Sequence, residues 1–593
     1  MNSINSMLNC WTVLSPNGNI AFNVKLDEEG RIEYYISNKD QVIIEDSPMG
    51  IKTSISDFSV GVSFISLTEK RIKETYRMIS GKKSVCESTA NEIILSLKSK
   101  IHIMNIHIRT YNDGVAYRYS IPGEGPISIS SEISAFRIPD TDIGWAHTFI
   151  EHYEGFYNLR TYEALLSGHY GMPVLLKNAD CYALISEAAV YGAYCGCHLE
   201  GNKERGLLRV IFAPDQGNSV FSNRPFNTPW RVVVIGELRD IVETGIFENL
   251  NPASEIADIS WIKPGRASWS WWSGDSTSNY AVQIRYVDFA ARMGWEYYLC
   301  DGGWDKSWIN ALSAYAKTKN IGLFVWYHYK ELETDDELLT ILPWLSSIGV
   351  KGIKVDFFES DSQERICLYD KIAKIAALYK LMIVYHGCTK PSGERRKWPH
   401  IMTREGVLGA EYYKLPLDGP TAEHNCTVPF TRNVVGPMDY TPVTYSNNRG
   451  LTTWAHQTAL SVVFESGIQH YADKPEYIES IGEAIEYLKL CPASWDDTKL
   501  IEGKPGRYVT IARRREERWF VGSLCGGDNS RVASIPLTFL KEGITYIADI
   551  YKDGDTQKDI VHSRNKVNRS MVMNVNLAVN GGCAMSLIPI KQD

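Results

Sequence analysis

The chain is 593 residues long, 44% hydrophobic and 22% charged, with a net charge of -8. It is too long for a single hydrophobic core, and its composition excludes disorder, collagen and coiled coil. No long basic block points to nucleic acid or a membrane surface as partner, and no apolar run approaches the roughly 18 residues needed to span a bilayer.

The N-terminal stretch "MNSINSMLNCWTVLSPNG" has neither a basic n-region nor an apolar h-region. No secretory signal is predicted, which implies a cytoplasmic protein if the chain is full length and a periplasmic one if a signal has been removed. From there to residue 262, segments such as "NIAFNVKLD", "RIEYYISN", "QVIIEDS" and "NEIILSLKS" alternate apolar with polar residues between Asn, Gly, Asp and Pro breaks. That period predicts an antiparallel β-sandwich over 1–262. The 12 Cys include no CxxC pair, and "CGC" at 195–197 is too short for a zinc site, so reduced, buried thiols are expected.

At "WIKPGRASWSWWSG" the texture changes. Apolar runs ("RASWSWW", "YYLCDGGW", "IGLFVWYHY", "GIKVDFF", "LMIVYHG", "HIMTREGV") alternate with amphipathic helical stretches at 279–293, 305–319, 333–347 and 361–380. Near-continuous apolar strands between helices predict a parallel sheet covered by helices. Asp301, His328, Asp356 and His386 stand at strand C-terminal ends with gaps of 27, 28 and 30 residues, one βα unit each. The spacing predicts a (β/α)8 barrel over 263–500 with its active site at that rim. From 501 to 593 strand and turn patterns return, predicting a small C-terminal β domain.

Asp356 ends the fourth barrel strand. Lys354, two residues earlier on the same side, can hold it ionised, either as a structural ion pair or as a nucleophile in a dry pocket. "TREGVLGAEYYK" supplies Glu405 and Glu411 after the sixth strand, either as a solvated helix start or as partner acids facing the same rim. Aromatic residues gather there too, Trp304, Trp326, Phe357 and Tyr385 among them, as core caps or as flat walls for the apolar faces of sugars. No P-loop, GxSxG elbow or HExxH motif is present.

With "WSWW", "DGGW", "GIKVDFF", "HGCTKPSGERRKWPH", "TREGVLGAE" and "PFTRNVVGPMDYTP", the chain resembles glycoside hydrolase family 97 over essentially its full length. The resemblance implies a β-sandwich, a (β/α)8 barrel and a C-terminal β domain, acting on α-glycosidic bonds with calcium. The inverting branch of that family carries a Glu directly after the fifth-strand His; here that position is Gly387. The retaining branch has a nucleophilic Asp at the end of the fourth strand, where Asp356 stands. The resemblance therefore implies a retaining α-galactosidase-like enzyme with Asp356 as nucleophile and Glu411 as acid/base. Asp301, Trp304, Trp326, Lys354, His386 and Arg404 are expected to bind substrate, and Glu187, Glu405 and Glu411 to bind Ca2+. The expected partner is an oligosaccharide or glycoside; oligomeric state is left open. Alternatives are a retaining β-L-arabinopyranosidase, an inverting α-glucosidase, and a non-catalytic carbohydrate-binding protein.

Overall fold

The computed structural model describes residues 9–590. The expectation about a signal peptide rests partly on residues 1–8 and lies outside the described residues.

The N-terminal domain is one network of 18 hydrogen-bonded strands, with every pairing between them antiparallel. The period-2 pattern produces it directly. In Ile20–Leu26 the side chains of Ile20, Phe22, Val24 and Leu26 are buried while the residues between them are half-exposed, and the strand pairs in register with Ile32–Asn38. Burying each such side chain contributes about 1.5–3 kcal/mol. Between strands Ile143–Thr148 and Asn158–Arg160 the chain leaves the sheet in a loop that carries His152, Tyr153 and Glu154.

The central domain holds seven parallel strands: β1 (Gly265–Trp269), β2 (Tyr297–Cys300), β3 (Gly322–His328), β4 (Gly352–Asp356), β5 (Met382–Tyr385), β6 (Ile401–Arg404) and β7 (Ile468–Tyr471). They lie in the order β6-β5-β4-β3-β2-β1-β7. Helices α1 (Tyr280–Met293), α2 (Lys306–Thr318), α3 (Asp335–Ser347) and α4 (Gln363–Leu378) follow β1 to β4 in turn. The first three start on side-chain caps: Asn279 and Asp305 accept backbone N–H groups, and Thr334 with Glu337 forms a capping box. Every residue of β4 is buried, as expected for a strand covered on both faces.

The barrel differs from eight regular βα units. The eighth position is filled by the extended segment Met438–Tyr440, which forms no strand. Asp439 N–H donates to Arg404 O at 2.9 Å and Met438 N–H to Glu465 O at 3.0 Å, so the barrel nearly closes. After β5 the covering helix is replaced by irregular chain with a 3-10 turn at Glu394–Arg396. Helix α5 (Trp454–Val463) precedes β7.

A six-stranded antiparallel sheet begins at Asp497, with a two-stranded ribbon beside it, and makes up the C-terminal domain. All 12 cysteines are free; nine are buried, Cys86 is half-buried, and Cys10 and Cys367 are exposed. Among the described residues no helix is long and apolar enough to cross a membrane.

Candidate active site

Strand β4 positions the centre. Because side chains alternate along a strand, Lys354 and Asp356 both point into the barrel mouth. Lys354 Nζ, which is almost fully buried, lies 3.2 Å from Asp301 Oδ2, 3.9 Å from Asp356 Oδ2 and 3.8 Å from Glu411 Oε1. One ammonium is thus shared by three carboxyl groups, two at strand tips and one in the chain beyond β6. It also sits 4.9 Å above the Trp269 ring.

Asp301, at the tip of β2, accepts N–H groups from Trp269 Nε1 (2.6 Å) and Gly302 (2.7 Å). Burial alone would raise its pKa, but Lys354 and these donors outweigh it and hold Asp301 below the usual carboxylate range. Asp356 receives Trp326 Nε1 on Oδ2 at 2.9 Å and the Phe357 N–H on Oδ1 at 2.8 Å. Burial still raises its pKa, with Lys354 and His386 pulling it back. Phe357 has φ of +66°, a conformation that costs a side-chain-bearing residue about 1–3 kcal/mol and tends to mark functional sites. Phe357 is 46% exposed and its ring stacks on His328 at 5.4 Å, leaving a flat apolar face beside Asp356.

Glu411 lies in the 3-10 turn Ala410–Tyr413. Its Oε1 is buried without a hydrogen-bond partner. Burial, then the charges of Glu405 and Asp356, push its pKa up to about 8 against the pull of Lys354. The two carboxyls therefore differ in kind. Asp356 has two N–H donors to stabilise a negative charge, whereas Glu411 has an oxygen no donor reaches and holds its proton at neutral pH.

Glu405, just beyond β6, accepts the Gly387 N–H on Oε2 at 2.8 Å, and His386 Nδ1 lies 3.1 Å away. The other ring nitrogen of His386, Nε2, lies 2.7 Å from Asp439 Oδ2, which His470 Nδ1 also contacts at 2.7 Å. Burial disfavours the imidazolium, but carboxylates on both sides, Glu405 first, raise the His386 pKa well above its ordinary value. Both ring nitrogens of His386 thus face protein carboxylates beneath the acids, an arrangement that favours its protonated form.

Three of the expected site residues have other partners in the structure. Glu187 joins no metal cluster: Arg231 lies 2.6 Å from one of its oxygens and Lys390 2.7 Å from the other, so its charge is already neutralised inside the sandwich. Arg404 does not reach the mouth. Its guanidinium pairs with Glu394 and stacks over Tyr369 and Tyr385 at 4.4 and 4.7 Å, in the layer between strands and helices. Trp304 packs against Trp344 of α3 and Tyr327, giving its indole N–H to Trp326 O.

The acid that the sandwich does bring to the barrel is Glu154, which the sequence reading missed. Burial and the charge of Glu405 push it up to about 7, with His152, 3.3 Å away, opposing. Its only sequence signal is that "FIEHYEGFYN" breaks the strand alternation with acids among aromatics.

Among the described residues, one group of three close metal-type donors forms, from Asp356, His386 and Glu405. His386 is spent on two carboxylates and cannot ligate, which leaves oxygen donors. Glu405, Glu411 with its unpartnered oxygen, and Glu154 form a crowded acidic set; a hard cation would relieve the raised pKa values of Glu411 and Glu154, the chemistry of calcium rather than zinc.

Comparison with known proteins agrees with this architecture. Residues 13–252 match the family profile "Glycosyl-hydrolase 97 N-terminal", 261–407 match "Glycoside hydrolase 97", and 494–588 match "Glycosyl-hydrolase 97 C-terminal, oligomerisation". A Streptomyces bingchenggensis protein named "Probable retaining alpha-galactosidase" is 33% identical over 97% of this chain and 92% of its own. A glycoside hydrolase family 97 enzyme from Pseudoalteromonas sp., solved in complex with panose, superposes with a TM-score of 0.91 at 25% identity, over 98% of this chain and 100% of its own. The crystal structure of a β-arabinopyranosidase superposes with a TM-score of 0.89 at 27% identity, over 97% and 100% of the two chains.

Proposed function

The chain belongs to glycoside hydrolase family 97, and from that premise we propose that it is a calcium-dependent retaining α-galactosidase that removes terminal α-galactosyl residues. The observation that carries the retaining assignment is the pairing of Asp356 with Gly387. Asp356 stands at the β4 tip with two N–H donors on its oxygens. Gly387 has φ of +47°, and a Cβ there would lie 2.9 Å from the Phe357 backbone and 3.2 Å from Asp356 Oδ1. A side chain at the fifth-strand position of an inverting base would therefore crowd the backbone just beyond β4 first and the Asp356 carboxylate second.

Glu411, protonated at neutral pH, gives its proton to the glycosidic oxygen as the bond to the anomeric carbon breaks. Asp356 attacks that carbon from the opposite face and forms a glycosyl-enzyme. Glu411, now a carboxylate, takes a proton from water, which displaces Asp356 and restores the starting configuration. Trp326 keeps Asp356 aimed through Oδ2, while Asp301 and Lys354 offer an acceptor and a donor to the sugar hydroxyls. Glu154 and Glu405 would hold the calcium and Glu411 would share it through one oxygen only, and the positive charge would orient hydroxyls and fix the acidic loops. The Phe357 face beside Asp356 is suited to the apolar side of the leaving sugar.

Galactose is preferred because curated relatives along nearly the whole chain carry the name retaining α-galactosidase. The likeness to a β-arabinopyranosidase favours one second reading, since β-L-arabinopyranose is galactose without its C6 hydroxymethyl group. Assaying nitrophenyl α-galactoside, α-glucoside and β-L-arabinopyranoside side by side separates these, the galactoside being expected to have the highest kcat/KM. Proton NMR of the first-formed sugar tests the stereochemistry: α-galactose should appear before mutarotation, and β-galactose first would overturn the retaining assignment.

Metal removal gives a further check. Exhaustive EDTA treatment should lower kcat/KM, and added calcium should restore it, with Glu154→Gln shifting the calcium response to higher concentration. Activity unchanged after chelation, or a Glu154→Gln enzyme with an unaltered calcium response, would remove Glu154 from the ligand set.

A further inference from the structure

On the sandwich, away from the carboxylates at the barrel mouth, lies a crevice of about 470 Å³ walled by the strand turn around Asn223–Trp230 and by the linker Leu250–Pro252. The charged residues lining it are Arg109 and Arg118, with no Asp or Glu among the lining residues. The two guanidiniums lie 4.7 and 4.4 Å from the Trp230 ring. Arg109 is neutralised by Glu92, its Nε lying 2.8 Å from Oε1. Arg118 is not: among the described residues it makes neither an ion pair nor a hydrogen bond, and its Nε is buried without a partner. The indole N–H of Trp230, which is 1% exposed, is likewise buried and unpartnered. Burial first, then repulsion by Arg109, lowers the Arg118 pKa to about 10.

Arg118 is half-buried: its Nε is shut away without an acceptor, while its terminal nitrogens are not buried and the residue lines the crevice. Stacking on the indole, worth about 0.5–2 kcal/mol, therefore leaves its hydrogen-bonding capacity unused. The planar N–H fork of an arginine matches a carboxylate or phosphate with two parallel hydrogen bonds. The space is too large for one small oxyanion and falls in the range of small-molecule sites. Its polar lining also includes Ser222, Asn223 and Asn227, which offer the neutral donors and acceptors that hydroxyl groups need. We propose that this crevice binds an acidic monosaccharide, its carboxylate or phosphate held by Arg118 and its hydroxyls by the asparagines. This second site is independent of the glycosidase assignment, because none of its residues belongs to the catalytic centre.

Titration calorimetry on the full chain, with the catalytic site saturated by galactose, tests it. Galacturonate, galactose 6-phosphate and inorganic phosphate are the probes; the first two tell the carboxylate from the phosphate form. At least one of the two sugar acids should bind in the millimolar range or tighter, and Arg118→Gln should weaken it about tenfold or more, the loss expected for one charged hydrogen-bonding group. Asn223→Ala, a milder change should Arg118→Gln fold poorly, should weaken binding severalfold. Hydrolysis of nitrophenyl α-galactoside should be unchanged in both variants. The proposal is overturned if no sugar acid binds, if Arg118→Gln or Asn223→Ala binds as tightly as the parent, or if inorganic phosphate binds as well as the sugar acids.

Discussion

Replacing Asp356 with Ala should lower turnover of α-galactosides by roughly 10³-fold or more, the scale on which loss of a nucleophile acts in other covalent enzymes. The reason is geometric. Glu411 lacks a donor on its buried oxygen and keeps its proton, Glu405 is tied to the Gly387 N–H and to His386, and Asp301 is tied to Trp269 and Lys354. Each remaining carboxyl is either protonated or committed, so none replaces Asp356 at the anomeric carbon. Azide or formate should enter the vacated space and partly restore turnover, yielding a β-configured product. Glu411→Ala should behave differently, retaining far more activity on nitrophenyl galactosides than on oligosaccharides, because a good leaving group needs little protonation. Steady-state rates with and without azide, and NMR of the azide product, decide the matter. Rescue without inversion, or substantial activity in Asp356→Ala alone, would exclude Asp356 as nucleophile.

The second large effect is expected at Gly387. Gly387→Glu supplies the side chain an inverting base would need, yet it should abolish activity, by about 10²-fold or more, without producing an inverting enzyme. Two costs combine. A side-chain-bearing residue at a φ of +47° pays about 1–2 kcal/mol, and a Cβ 2.9 Å from the Phe357 backbone forces the turn that carries Asp356 to move. A displacement of about 1 Å at a catalytic group can itself cost 10²-fold. Gly387→Ala, which adds the Cβ alone, should show much of the same loss, and that comparison separates backbone displacement from the added charge. Measured kcat and the anomer first released are the readouts. A Gly387→Glu enzyme that turns over with inversion would show that the two bases can share one backbone, and would refute the steric argument.

Much of this was legible in the chain. The period of two up to residue 262, the alternation of apolar runs with capped helices beyond it, and a spacing of about 28 residues between polar strand tips are local properties written in consecutive residues. They specified the sandwich, the parallel sheet and the rim on which Asp301, Asp356 and His386 stand. The alternation along β4 likewise placed Lys354 on the same side as Asp356, where Lys354 Nζ stands 3.9 Å from Asp356 Oδ2.

What the sequence could not decide was which charges meet. Glu187 and Glu154 are both acids of the sandwich, 33 residues apart. Glu187 faces Arg231 and Lys390 and is neutralised, while Glu154, on a loop leaving the sheet, meets Glu405 and stays under strain. Arg404 stands one residue before Glu405, yet its side chain turns to Glu394 and two tyrosines outside the barrel. The missing eighth strand has the same origin, because Met438–Tyr440 is held by Arg404 and Glu465 rather than by any strand pattern of its own. Local order follows from backbone geometry and hydrophobic period, which neighbouring residues set. The charge and partner of each carboxyl depend on groups brought from distant parts of the chain, and these are fixed only when the domains pack.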